Sequence, residues 1–300
     1  MLYDRVPAAQ KVTWHRRIGE RLETAYGKRA KEIALDLAVH FERGHDYQRA
    51  TRYLQHAAEN ALRKNAHQEA LTLLTKGLEL LKILPATPTR SLQELRLLRP
   101  LGLALIAIKG YAAPEVEQTY ARAYELCQQD GRPQLLLEAM LGLQAFYFAR
   151  GEIRKTREVA EQRLRLAQCV SMSMPTALIG AHAGLGEPLL SLGELTAARE
   201  HFAQAWGLYN PQEHNINVIQ GWVDPGVVVL SLMAATLWSL GYPDQAQQRL
   251  NEGLALAEGL SHPFSLAFTL TYACSLHSVR QEWQLRPPHL APFHLPFFLW

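Results

Sequence analysis

The chain has 300 residues, 48% hydrophobic and 20% charged, a balance that excludes a mostly disordered protein. Its 31 basic and 28 acidic side chains leave a net charge of +3 with the histidines neutral, too even to draw the chain to nucleic acid or an anionic membrane. No stretch approaches the ~18 continuous apolar residues of a membrane span, and the start, MLYDRVPAAQKVTWHRR, lacks the apolar run of a signal peptide. The cytoplasm is the expected location. Cys127, Cys169 and Cys274 are far apart and odd in number, so they read as reduced small apolar residues in helices rather than as a disulfide or zinc framework.

Helical patterning covers most of the chain and strand signals are almost absent. Thr13 to Tyr26 reads as a short helix with Trp14, Ile18 and Leu22 in a stripe, closed by Gly27. Ile33, Leu37, Val39 and Phe41 lead into the turn Arg43-Gly44-His45-Asp46, where Asp46 is placed to cap a helix carrying Ala50, Tyr53, Leu54 and Ala57. His67 to Leu84 forms the next helix, ended by Pro85 and Pro88, and another runs from about Ser91 to Lys109. Gly110-Tyr111 then turns the chain, and Pro114 falls in the first turn of the following helix, where its missing N–H costs nothing.

A helix–turn–helix phrase then recurs. It reads YFARGEIRKTREVAEQRLRLA from Tyr147, LSLGELTAAREHFAQA from Leu190 and LWSLGYPDQAQQRLNEGLALA from Leu237. The turn glycines Gly151, Gly193 and Gly241 are 42 and 48 residues apart. Five residues after each comes a small one, Thr156, Ala198 or Ala246. In the last two units a bulky apolar residue follows four later, Phe202 and Leu250. The small residue lets two helices approach and the large one fills a groove. Gly44 fits with one residue more, to Ala50 and Leu54. The Gly151 unit fits least well, with Ala160 and Arg163 in the later positions.

The turns GHDYQRA, GELTAA and GYPDQA resemble those of the tetratricopeptide repeat, whose standard unit is about 34 residues. The longer units here are more similar to the helical superhelix of maltose-regulator-type signalling ATPases. The ordered phrases HRRIGERLETAYG, AVHFERGHDYQRATRYLQHAAENALRKNAHQEAL, KGYAAPEVEQTYARAYELCQQ and LGYPDQA resemble a bacterial group of predicted ATPases, often fused to adenylate or guanylate cyclase domains. The resemblance covers about Leu2 to Trp283 and implies an all-α fold, a right-handed superhelical stack of antiparallel helix pairs. It divides the chain into a linker helix at 1–27, tetratricopeptide-like repeats at 28–284 and an irregular Pro- and aromatic-rich tail at 285–300. The group's ATPase and cyclase modules lie upstream of the matching region and are absent here. The group also continues as helix where this chain reads VRQEWQLRPPHLAPFHLPFFLW, which suggests a frame change or gene fragment near Gln284.

Catalytic signals are missing. No G-x-x-x-x-G-K-S/T string occurs, and the cluster Gly180, Gly184, Gly186 lacks a Lys and reads as a close-packing surface. No acidic pair can be assigned to the two metal ions that cyclase chemistry needs. His40, His45, His56 and His67 match no ligand spacing, and the basic residues near the start, Arg16, Arg17, Arg21, Lys28, Arg29 and Lys31, are interleaved with Glu20, Glu23 and Glu32. No cofactor, metal or nucleic acid is expected. The segment from Tyr209 to Gly226 interrupts the repeats; it is either a ligand- or partner-binding connection or an insertion that packs Trp222 on the stack.

Counting back from the turns along the first helix of each pair places a candidate concave wall. It comprises Glu138, Leu141, Ala145 and Phe148; then Ala183, Glu187 and Leu190; then Ser231, Ala235 and Trp238. Apolar groups mixed with acidic ones suit a helix or an extended peptide, although Phe148 and Trp238 could equally pack between repeats. The expected function is a non-catalytic, protein- or peptide-binding or sensor arm of a bacterial ATPase/cyclase-type signalling protein. The alternative is a fragment of a larger ATP-hydrolysing enzyme or nucleotide cyclase. An end without a capping helix after Ser265 to Trp283 adds the expectation of self-association.

Overall fold

A computed structural model describes residues 6–171, 174, 176–211 and 223–280. These residues form thirteen α-helices and no strand. In chain order they are α1 (Ala8–Tyr26), α2 (Ala34–Arg43), α3 (Tyr47–Arg63), α4 (His67–Ile83), α5 (Pro88–Lys109), α6 (Pro114–Asp130) and α7 (Pro133–Ala149). Then come α8 (Ile153–Val170), α9 (Thr176–Ser191), α10 (Leu195–Leu208), α11 (Pro225–Ser239), α12 (Pro243–Gly259) and α13 (Pro263–Arg280). They divide into two compact units, Met1–Leu166 and Ala167–Trp300, with the division inside α8. In the first unit each helix from α1 to α7 packs on the next, and α3 also meets α5. In the second, α9 pairs with α10 and α11 with α12, while α11 also packs on α9, α10 and α13. The expected tail, 285–300, and Trp283 lie outside the described residues.

Five of the turns share one construction. A single residue adopts left-handed backbone: His45 (φ 55°), Asn65 (57°), Gly151 (72°), Gly193 (79°) or Gly241 (84°). The N–H of the next residue reaches back across the turn, Asp46 to Phe41, Ala66 to Ala61, Glu152 to Tyr147, Glu194 to Leu189 and Tyr242 to Leu237, each at 2.8–2.9 Å. This satisfies a carbonyl that the ended helix would otherwise leave without a donor. The same residue's carbonyl then accepts the first bond of the following helix, from Ala50, Ala70, Thr156, Ala198 or Ala246 at 2.9–3.0 Å. Those five small residues are all fully buried. The extra residue at Gly44 is thereby explained: His45, not Gly44, carries the positive φ, and Ala50 is five residues beyond it. The Asn65 turn is a repeat junction that glycine counting does not find.

The small residue and a bulky one four later lock four of these hairpins. Leu54, Leu74, Phe202 and Leu250 are all at most 2% exposed. A Cβ added at Gly186 on α9 would stand 2.5 Å from the Phe202 ring on α10, so this glycine belongs to the packing surface expected of its cluster. Gly102 and Gly142 leave the same kind of space for Tyr120. In the Gly151 unit, Ala160 takes the bulky position, and Arg163 is buried with its guanidinium 3.4 Å from Gln144 Oε1.

Several local expectations are met and others shift. Gly27 closes α1 with positive φ, Asp46 Oδ1 accepts the Arg49 N–H at 3.1 Å, and Pro114 is at the start of α6. Pro88 opens α5 instead of ending α4. Helix α1 turns His15 and Gly19 inward, leaving Trp14 and Ile18 of the expected stripe 41% and 42% exposed. Gly19 lets the Phe41 ring approach, which rotates the buried face away from the bulkier side chains. Of the cysteines only Cys127 is buried; Cys169 and Cys274 are exposed, and all three are free thiols.

Gly186→Ala is expected to destabilise the second unit by ~1–3 kcal/mol, because the Phe202 ring has no room to retreat. Gly207→Ala, in the same hairpin but with nothing within 4 Å of the added Cβ, should instead stabilise by ~0.5–1 kcal/mol. Urea denaturation of the two variants beside the parent checks both signs; equal effects would refute the packing account.

Candidate functional site

The candidate wall residues fall in both units, and each unit has its own surroundings. In the first unit α7 leaves Leu141, Ala145 and Phe148 partly exposed. Glu138 is engaged by Arg99 on α5, whose Nε is 3.0 Å from its Oε2. Burial pushes this carboxyl above its ordinary range, and Arg99 opposes the rise.

In the second unit α9, α11 and α13 form one layer, with α11 between the other two, and α10 and α12 pack against it. Glu187 and Leu190 on α9 and Ala235 and Trp238 on α11 are partly exposed on this layer. Ala183 is buried. Ser231 is a correction to the expected wall: it is fully buried, donating to the Val227 carbonyl at 2.8 Å and lying 3.3 Å from Thr269 Oγ1 of α13. It closes the α11–α13 seam and is not available to a ligand.

Two residues missing from the expected wall join it from α13. The Phe268 and Tyr272 rings stand 5.1 Å apart at 46°, both partly exposed. Tyr272 and Trp238 pack together on a small core of Ala234, Leu250, Ala273 and Leu276. Tyr272 also interacts electrostatically with Glu187: burial raises its hydroxyl pKa, and the Glu187 carboxyl raises it further. Burial pushes the Glu187 carboxyl up to about 7. Among the described residues, no cation or hydrogen-bond donor engages the Glu187 side chain.

The remaining candidates resolve into structure. Asp224 Oδ1 caps α11 by accepting from the N–H groups of Gly226 and Val227 at 2.8 and 3.1 Å, and it accepts the Tyr209 hydroxyl at 3.0 Å. The ends of the 209–226 segment are therefore held together, whereas Gly221 and Trp222 lie outside the described residues. His40 Nδ1 lies 3.0 Å from His15 Nδ1, His56 meets Glu59 at 3.3 Å, and His45 stacks on Tyr47. Among the described residues no group of three or more His, Cys, Asp or Glu could hold a metal ion, and no helix is long and apolar enough to cross a membrane.

No family model matches the chain, and no curated protein matches it. Solved structures do resemble it. The apo form of the quorum sensor NprR from B. thuringiensis superposes with a TM-score of 0.60 at 12% identity, covering 93% of this chain and 71% of that one. The Rap conjugation gene regulator of plasmid pLS20 in complex with the Phr* peptide gives 0.57 at 11%, covering 92% and 82%. NprR in complex with its cognate peptide NprX gives 0.57 at 12%, covering 93% and 74%. At these identities the likeness establishes an all-helical, tetratricopeptide-like fold.

Glu187 generates a pH-dependent prediction. The unfolded carboxyl ionises near its ordinary 4.5, whereas the folded one keeps its proton to about pH 7. Between those values the folded state binds more protons, so its contribution to stability falls as pH rises. Glu187→Gln should therefore gain stability over the parent at about pH 8, and the gain should shrink at about pH 4. Urea titrations at the two pH values measure it; a gain independent of pH would show that the carboxyl is not ionising against its surroundings.

Proposed function

We infer that this chain is a non-catalytic, peptide- or protein-binding arm of a bacterial signalling or regulatory protein. The observation that carries this reading is the α9–α11–α13 layer, which holds Leu190, Trp238, Phe268 and Tyr272 partly exposed on a tightly packed backing. Aromatic and aliphatic side chains that are half covered, on rigid helices, make anchoring points for an apolar segment at little ordering cost. Two of the three solved structures named above hold peptides, which supports an occupant of that class. The ordered phrases of the sequence support the narrower context of an ATPase/cyclase-type protein, in which nucleotide turnover belongs to another module. The same phrases support the second reading, a piece of such an enzyme; on either reading this chain alone is expected to turn over no ATP.

Binding to an array of short apolar peptides tests the reading. Leu190→Asp and Trp238→Ala should each weaken the retained peptides about tenfold or more, within the usual range for an interface anchor. Trp14→Ala, on α1 of the first unit and outside the candidate wall, should leave binding unchanged, and far-ultraviolet circular dichroism should confirm that every variant is helical. A chain that retains no peptide, or that binds independently of both wall residues, refutes the proposal.

A further inference from the structure

The charge pattern of the second unit narrows the occupant. Across all of α9, α11 and α13 the only acidic side chain is Glu187, and neither Lys nor Arg occurs before the terminal residue Arg280. The helices behind them carry the charges instead: Arg199 and Glu200 on α10, and Asp244, Arg249, Glu252 and Glu258 on α12. Glu187 thus stands alone in an apolar wall beside Leu190, within electrostatic reach of Tyr272. The contrast with Glu138 is direct, since that carboxylate has its own arginine at 3.0 Å. A recessed carboxylate with no internal cation is costly, and a cation brought by a ligand removes that cost.

We propose that Glu187 is the charge-selecting position of the binding wall, which takes an apolar peptide carrying one ammonium group. The inference rests on the peptide-binding reading above. The ammonium is either a lysine side chain or a peptide's own N-terminus; both present N–H donors to a carboxylate that, among the described residues, no donor engages. The flanking apolar residues accept aliphatic or aromatic side chains, and a ligand carboxylate in the same place would meet Glu187 as a like charge. The ionisable groups on the neighbouring elements are His182 on α9, Arg199, Glu200 and His201 on α10, and Tyr272, Cys274, His277 and the terminal Arg280 on α13; α11 contributes none. His182 is engaged with His201, their Nδ1 atoms 3.0 Å apart, and Arg199 lies over the Tyr242 ring.

The test uses the full chain and fluorescent pools of short apolar peptides at about pH 8, read by anisotropy. One pool is acetylated and amidated with a single central Lys, a second has norleucine there, and a third has Glu. A fourth is the norleucine pool with a free N-terminus. The expected result is at least tenfold tighter binding of the Lys pool or of the free-amine pool than of the acetylated norleucine pool, with Glu weakest. The stronger of the two cationic pools identifies the source of the ammonium. Glu187→Gln should erase the cationic preference while leaving norleucine binding intact, and Glu187→Lys should turn the preference toward Glu. If norleucine and cationic pools bind equally and respond to Trp238→Ala but not to Glu187→Gln, the charge selection is wrong and the peptide-binding reading stands. Absence of binding by every pool overturns both.

Discussion

The fold depends on one repeated constraint, the reversal of a helix by a single residue in left-handed backbone. At His45, Asn65, Gly151, Gly193 and Gly241 that conformation aims the next N–H at a carbonyl of the finished turn and starts a new helix at once. No slack remains between the two helices, so the residue five beyond the reversal always arrives at the crossing point. Only a small side chain fits there, and Ala or Thr occupies all five positions. The bulky residue four further on is then carried into the facing helix, as Phe202 is carried against Gly186. Backbone geometry, residue size and core formation are therefore consequences of the same turn.

This coupling explains what could be read from the sequence. Where the left-handed residue is glycine, the turn announces itself, and Gly193 and Gly241 delivered Ala198, Phe202, Ala246 and Leu250 correctly. His45 was concealed by the adjacent Gly44, whose φ of −82° is ordinary helical-side backbone. Asn65 was concealed because asparagine tolerates left-handed backbone without the sequence signature of glycine. The inward face of α1 departs from the apolar stripe for a different reason. Apolar spacing marks Trp14 and Ile18, but the contact is set by the room Gly19 makes for Phe41, and absence of a side chain has no hydrophobic signal.

The wall shows the same limits. Counting back from a turn places Glu187, Leu190 and Trp238 on the layer, since the helical period is faithful over two or three turns. It cannot tell an open position from a seam. Ser231 is on the correct side of α11, yet its hydroxyl faces Thr269 because α13 packs there. Phe268 and Tyr272 carry no such signal, because the sequence after their helix is proline-rich and offers no reversal to count from. The ion pair of Glu138 with Arg99 joins residues 39 positions apart, a pairing that no local pattern encodes.

Charge segregation also shapes how the second unit responds to pH. The His182–His201 contact, with Nδ1 atoms 3.0 Å apart, needs one ring to donate and the other to accept, so at most one of the facing nitrogens carries a proton. Burial lowers both histidines below their ordinary 6.5, and for His182 the neighbouring His201 adds to the lowering. A base depressed in the folded state contributes stability above its unfolded pKa and loses it as pH falls through the folded one. Glu187 acts in the opposite sense, since its contribution diminishes as pH rises from 4.5 toward about 7. The two effects oppose each other just below 6.5, where the histidines begin to bind protons in the unfolded chain and Glu187 still gives up its own in it. A helix layer stripped of charge on its exposed side thus keeps two responses of opposite sign, and an ammonium bound at Glu187 would reverse one of them, since a carboxylate paired with a cation holds its charge to lower pH and loses the pair on acidification.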